Sequence, residues 1–146
     1  EWNELTRLTK LITADGSSIL ANGFSDRGSQ LTIDSEEICF NGVGEDGHET
    51  FRITKKKRAK SDYDEQERYD RHGAFDFCKT AQKPYDKYIV AMLIAVAQIT
   101  DSISVSSDGD QEDWLEGLQL YVERCTSNDT LNDYAKELIP DSVRVA

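Results

Sequence analysis

Two short blocks of polar residues have the composition of an anion-binding site. The first supplies positive charge and a hydroxyl group through Lys79, Thr80 and Lys83. The second block, residues 106–109, reads Ser-Ser-Asp-Gly and adds hydroxyl groups and the backbone of a turn. Cationic side chains, hydroxyls and backbone amides are the groups that hold phosphates in proteins. The candidate ligand-binding residues are therefore Lys79, Thr80, Lys83, Ser106, Ser107, Asp108 and Gly109.

The two blocks would meet if each followed one of two parallel strands. Residues 75–78 and 102–106 have the alternating apolar pattern of short strands, and the almost wholly apolar stretch 85–99 between them is typical of a buried helix. Pro84 suits the first turn of that helix, where the missing N–H costs nothing. This order predicts a β-α-β unit, whose parallel strands end at one edge of the sheet. Ligands bind at that edge in open α/β sheets, so we expect the blocks to form one crevice.

The same residues also fit an interpretation without a ligand. Lys79, Thr80 and Lys83 would then be an ordinary exposed loop before the helix. Ser-Asp-Gly at 107–109 is typical of a tight turn, and Asp110 can cap the helix predicted over 111–125. The sequence leaves both interpretations open.

The remaining elements indicate an α+β protein. Apolar residues at helical spacing predict a short amphipathic first helix through Ile12, and two strands around 31–33 and 38–40 form a hairpin, followed after a glycine-rich loop by a strand over 49–54. The predicted fold is an antiparallel meander of short strands, then the β-α-β unit and C-terminal helices, with one mixed sheet in a single domain spanning residues 1–146. The predicted core residues are Phe77, Tyr88, Met92, Val96, Val105, Trp114 and Leu118.

The charge of the chain limits its possible partners. The formal net charge is −11, and both ends are acidic while the basic residues concentrate in the middle. This argues against general nucleic-acid binding, which requires clustered Lys and Arg. It suits a highly soluble protein, a saline environment, or an acidic face for a host or viral protein with a basic face. The densely charged segment 57–72 is predicted to be a mobile loop.

Other motifs that would indicate a cofactor or a reaction are missing from the sequence. Cys39, Cys78 and Cys125 are widely spaced without a C-x-x-C motif, which argues against a zinc ribbon or a thioredoxin-like site. Cys39 and Cys78 alternate with apolar neighbours and are predicted to be small buried side chains in a reducing compartment. His48 and His72 lack the spacing of metal ligands. No catalytic residue, metal site or cofactor is therefore assigned. The first residues do not resemble a signal peptide and the apolar run ending at Ile99 is too short for a membrane span, so we expect a soluble protein of the host cytoplasm.

Three blocks carry a resemblance to known sequences. Residues 40–51, residues 75–86 with their Cys-Lys-Thr-Ala-x-Lys-Pro-Tyr-Asp motif, and residues 105–109 together with Trp114 resemble a family of small uncharacterised proteins of tailed bacteriophages and environmental viruses. The likeness covers about half of the chain, roughly residues 38–122. It implies a viral origin but no activity. Gln82 stands where such proteins usually have arginine, which weakens the case for a guanidinium that grips an anion.

Three functions are compatible with this sequence. The favoured one is a virus-encoded accessory protein that acts by binding a small anion or a host protein, because the ends are acidic and no catalytic motif is present. The first alternative is a virion-associated or assembly protein. The second is a small enzyme that acts on a phosphorylated or nucleotide substrate through the crevice. The sequence does not indicate the oligomeric state.

Overall fold

A computed structural model describes residues 1–22, 30–55, 78–101, 103–128 and 130–144 and confirms the α+β class. Its helices are α1 (Trp2–Ile12), α2 (Asp86–Ile99), α3 (Leu115–Cys125) and the short α4 (Asp141–Arg144). Its strands are β1 (Leu20–Ala21), β2 (Thr32–Ile33), β3 (Glu37–Gly42) and β4 (Phe51–Thr54). Short 3-10 turns cover Gly44–Asp46, Glu112–Trp114 and Ala135–Leu138.

The strands form the predicted antiparallel meander around β3. This central strand pairs antiparallel with β1, β2 and β4. The β2–β3 turn is closed by the Asp34 carboxylate, which accepts the backbone N–H groups of Glu36 and Glu37 at 2.8 and 2.9 Å. On the buried face, the rings of Phe40 and Phe51 lie opposite each other with centroids 5.1 Å apart.

The helices pack as their sequences indicate. Leu5, Leu8 and Ile12 form the buried stripe of α1, as their spacing predicts. The apolar helix α2 is buried over most of its circumference, with contacts to α1 and α3. No helix in the described part of the chain has the length and apolar character needed to cross a membrane.

Helices α2 and α3 run in the same direction. Early in both helices, Val90 lies so close to Gly117 that a Cβ atom on the glycine would be 2.4 Å from the valine Cβ. Late in both helices, Ile99 and Cys125 line one groove. The connection between them must therefore return the chain along the whole length of α2, about 21 Å at 1.5 Å per residue.

The second predicted strand of the β-α-β unit is wrong, because the returning segment pairs with no strand of the described sheet. Residues 103–107 belong to no strand, and the Val105 carbonyl accepts a hydrogen bond from the Ser142 hydroxyl at 2.6 Å. The alternation of Ile103 and Val105 belongs to a surface segment in which Ile103 is 48% exposed. The first predicted strand lies outside the described residues except for Cys78, which is not in a strand. The described sheet is antiparallel throughout and therefore lacks the predicted mixed character.

The core prediction is confirmed at five of its seven positions, which are Tyr88, Met92, Val96, Trp114 and Leu118. Val105 is only partly buried, because its segment lies on the surface. Phe77 and the charged loop predicted over 57–72 lie outside the described residues. None of the three cysteines forms a disulfide bond. Cys39 is buried, as predicted, whereas Cys78 was also predicted to be buried and is only half-buried, as is Cys125.

Candidate functional site

The first candidate block forms a tight turn with a strained backbone. The Lys83 N–H donates to the Thr80 carbonyl at 3.0 Å, and Ala81 and Gln82 between them have φ values of 51° and 53°. Two consecutive positive φ values define a type I′ turn, which usually contains glycine or asparagine. Each side chain in the left-handed region costs about 1–2 kcal/mol. Lys79 is exposed and Lys83 is half-buried beside this turn.

The hydroxyl of this block is bonded to a carboxylate of the protein itself. Thr80 Oγ1 donates to Asp86 Oδ1 at 2.6 Å, at the first residue of α2. Burial raises the pKa of Asp86, the Thr80 hydrogen bond opposes that rise, and the carboxylates of Asp113 and Glu116 add to it. A negative charge is stabilising near a helix N-terminus, and here the Asp86 carboxylate of the protein itself occupies that position.

The second candidate block is a turn that leads into α3. Ser107 Oγ accepts the Gly109 N–H at 3.0 Å, while Ser106 and Asp108 are exposed. Asp110 accepts the Asp113 N–H at 3.1 Å and so closes the 3-10 turn Glu112–Trp114, which precedes α3, rather than the first turn of α3 itself. In return, Asp113 Oδ2 accepts the Asp110 N–H at 2.9 Å, so the carboxylate of each aspartate accepts the backbone N–H of the other.

The parallel helices bring the two blocks to the same end of the molecule through Asp86. The start of α2 lies near the start of α3, because a Cβ atom on Gly117 would be 2.9 Å from the Lys87 carbonyl oxygen. In this arrangement the charges of Asp113 and Glu116 raise the pKa of Asp86. Five carboxylates around the start of α3 are exposed, and we call them the acidic face: Asp108, Asp110, Glu112, Asp113 and Glu116. Two neighbouring helix N-termini, each with about half a positive charge, stabilise such carboxylates.

Sequence reasoning missed the contacts that hold the first block on the sheet. The His48 Nδ1–H donates to the Lys79 carbonyl at 2.7 Å, since a carbonyl oxygen only accepts. The Glu49 N–H donates to the same carbonyl at 3.1 Å, and the Lys79 N–H donates to Glu49 Oε2 at 2.6 Å. The buried Tyr85 completes the group through its hydroxyl, which donates to the Glu49 carbonyl at 2.7 Å. His48 is an exposed residue, yet its Nδ1 atom is held by the Lys79 carbonyl.

A buried asparagine shapes the glycine-rich loop that presents His48. The Asn41 amide donates to the His48 carbonyl at 3.0 Å and to Thr50 Oγ1 at 3.2 Å. Its Oδ1 accepts the N–H groups of Gly42 and His48 at 2.7 and 3.1 Å, so all its hydrogen-bonding capacity is used. A Cβ atom at Gly42 would lie 2.3 Å from the Asp46 carbonyl oxygen, which is why this loop requires glycine there. An asparagine before spaced glycines is the only sequence signal for this arrangement.

The anion crevice remains a prediction with a direct test. If Lys79 and Lys83 bind an anion, phosphate should raise the melting temperature above that in chloride of equal ionic strength. The double variant Lys79→Ala/Lys83→Ala should lose that difference. The matched control is Lys10→Ala/Lys55→Ala, which removes two exposed lysines elsewhere. A phosphate effect that is equal in all three proteins would instead reflect general screening of an acidic chain.

The described residues contain no group of three or more His, Cys, Asp or Glu side chains placed to hold a metal ion. Comparisons with protein-family models, with curated proteins and with solved structures each found no match for this chain.

Proposed function

We propose that this chain is a virus-encoded accessory protein that acts by binding a protein with a basic surface through the acidic face. The viral origin is supported by the resemblance of the three sequence blocks. The observation that carries the binding role is the exposure of all five carboxylates of the acidic face. No lysine or arginine occurs between residues 106 and 123, so this part of the chain contains no charge of the opposite sign.

The geometry of the acidic face suits protein recognition. Asp110 and Asp113 are held by each other's backbone N–H groups, which limits the side-chain freedom that binding would remove. Asp86 lies half-buried behind them and adds a further carboxylate. A concentrated negative field accelerates association with a basic partner and selects against acidic ones.

The same electrostatics favour a basic protein over a small anion. The Thr80 hydroxyl is bonded to Asp86, and the neighbouring Asp113 and Glu116 would repel a phosphate. Carboxylates in this arrangement attract lysine and arginine side chains. Of the two ligands expected from the sequence, the protein with a basic face therefore has the stronger support.

The test compares two triple variants of equal charge change. Asp108→Asn/Glu112→Gln/Glu116→Gln neutralises the acidic face without touching the two aspartates that bond each other's backbone. Glu36→Gln/Glu45→Gln/Asp46→Asn removes the same charge from exposed positions of the sheet region. The probe is a synthetic decapeptide of alternating lysine and arginine, measured by calorimetry at low and at physiological salt.

We expect the acidic-face variant to weaken peptide binding by about tenfold, because three screened charge contacts of about 0.5 kcal/mol each amount to that factor. The sheet-region control should change the dissociation constant by less than about twofold if binding is local. Equal weakening by both variants would mean that the peptide responds only to net charge, and the acidic face would not be the docking surface.

A further inference from the structure

We propose that Asn41 is a self-modification site that the fold protects: in the unfolded chain the backbone nitrogen of Gly42 displaces the side-chain amide of Asn41, and the modified chain does not refold. Asparagine followed by glycine offers this reaction the least steric resistance, because glycine has no side chain to shield its nitrogen. The two residues lie at the end of β3, and both are buried. The proposal does not depend on the acidic face or on the function proposed above.

The reaction needs water and no other co-reactant. The Gly42 nitrogen loses its proton to a solvent base and forms a bond to Asn41 Cγ. The bond from Cγ to Nδ2 breaks, and the former amide nitrogen takes up a proton and leaves as ammonia. Water then opens the five-membered imide ring at one of its two carbonyl groups. The product is either aspartate at position 41 or isoaspartate, in which the main chain runs through the Cβ and Cγ atoms of the former side chain.

The sheet restrains both reacting groups in the folded protein. Asn41 is only 4% exposed, which limits the access of the water and base that the reaction requires. Ring closure requires rotation about the Cα–C bond of Asn41, and the pairing of β3 with β1, where Ala21 lies opposite Asn41, fixes that bond in an extended strand. The Gly42 N–H donates to Asn41 Oδ1 at 2.7 Å, which holds the proton that must be lost.

The hydrogen bonds of the Asn41 side chain restrain it further. Its Nδ2, the leaving group, donates to the His48 carbonyl and to Thr50 Oγ1, and its Oδ1 also accepts the His48 N–H. Attack on Cγ would move these atoms and break the bonds in a buried place, where water does not replace them. We therefore expect the reaction to start only from conformations in which this part of β3 is open.

Neither product fits the site that Asn41 occupies. Aspartate would turn a carboxylate oxygen toward the His48 carbonyl, which now accepts from Nδ2 at 3.0 Å, and would bury a charge. Isoaspartate would lengthen the main chain before Gly42, where a Cβ atom would already lie 2.3 Å from the Asp46 carbonyl oxygen. Either product would also release His48, whose ring holds the Lys79 carbonyl. Long residence in the unfolded state thus becomes irreversible, so the lifetime of the protein depends on its rate of unfolding.

The first measurement is peptide mass spectrometry of the full chain after incubation at mildly alkaline pH, in buffer and in guanidinium chloride. We expect Asn41 to convert faster in guanidinium chloride by about tenfold or more, because the buried strand must open first in buffer. Asn22, which also precedes a glycine, is the internal reference for the denatured sample. Gly42→Ala, compared in guanidinium chloride where folding has no influence, should slow conversion at Asn41 but not at Asn22. Equal rates at Asn41 in the two solvents, or no effect of Gly42→Ala, would overturn the proposal.

The second measurement tests whether the modified chain refolds. Asn41→Asp reproduces one product, and Asn3→Asp makes the same chemical change at an exposed residue. We expect Asn41→Asp to unfold at a lower urea concentration or to remain unfolded, while Asn3→Asp keeps the midpoint of the original protein. When the denatured sample is returned to buffer and separated by size-exclusion chromatography, chains modified at position 41 should be missing from the folded fraction. Modified chains in that fraction, or an Asn41→Asp variant as stable as Asn3→Asp, would show that the proposal is wrong.

Discussion

Leu118→Ala is expected to destabilise the protein by about 2–5 kcal/mol, the range for a leucine truncated in a well-packed core. Leu118 has no exposed surface and lies in α3, the helix that makes the most extensive contacts with α2. The truncation loses the transfer free energy of the removed carbons and leaves a cavity that the rigid helix pair closes only partly. Urea unfolding followed by circular dichroism measures the loss as a lower midpoint with an unchanged slope.

Ile103→Ala is the matched control for this truncation. It removes a similar apolar volume from a side chain that is 48% exposed, so we expect a loss below about 1 kcal/mol. If Leu118→Ala cost no more than Ile103→Ala, α3 would not pack as described, and the site built on the parallel helix pair would lose its basis.

Gly117→Ala is expected to destabilise the protein by about 1–3 kcal/mol, although helix propensity alone predicts a gain of about 1 kcal/mol. A Cβ atom at this position would lie 2.4 Å from both Cβ and Cγ1 of Val90 and 2.9 Å from the Lys87 carbonyl oxygen. Helices α2 and α3 must separate to accept the methyl group, which disturbs the most extensive contact between two of the described elements. The sign of the effect therefore distinguishes tertiary packing from intrinsic propensity.

A double-mutant cycle with Val90→Gly isolates the contact. Val90→Gly removes both valine atoms that the new methyl group would meet, so Gly117→Ala should cost less in that background. We expect a coupling free energy of about 1 kcal/mol or more between the two positions. Additive effects in urea unfolding would contradict the close approach of the helices.

Elements whose signals are local can be predicted from the amino-acid sequence. The stripe of α1, the hairpin of β2 and β3, and the almost wholly apolar α2 were each predicted and are present. Periodicity and turn chemistry depend on neighbours within a few residues, such as Asp34 with the two N–H groups it accepts. Local patterns of this kind identify the α+β class and most of the core.

The positions of these elements and the contacts of the polar residues depend instead on tertiary packing. An extended segment on the surface alternates like a strand, so residues 102–106 were predicted to pair. The described part of this segment, 103–106, only returns the chain to the start of α3. The Thr80 hydroxyl is bonded to Asp86. The pKa of Asp86 depends in turn on Asp113 and Glu116, which lie far from it in the sequence. Likewise, His48 meets Lys79 only because folding brings residues 31 positions apart within 2.7 Å. Such contacts are set by the packing of whole helices and strands, which no local pattern specifies.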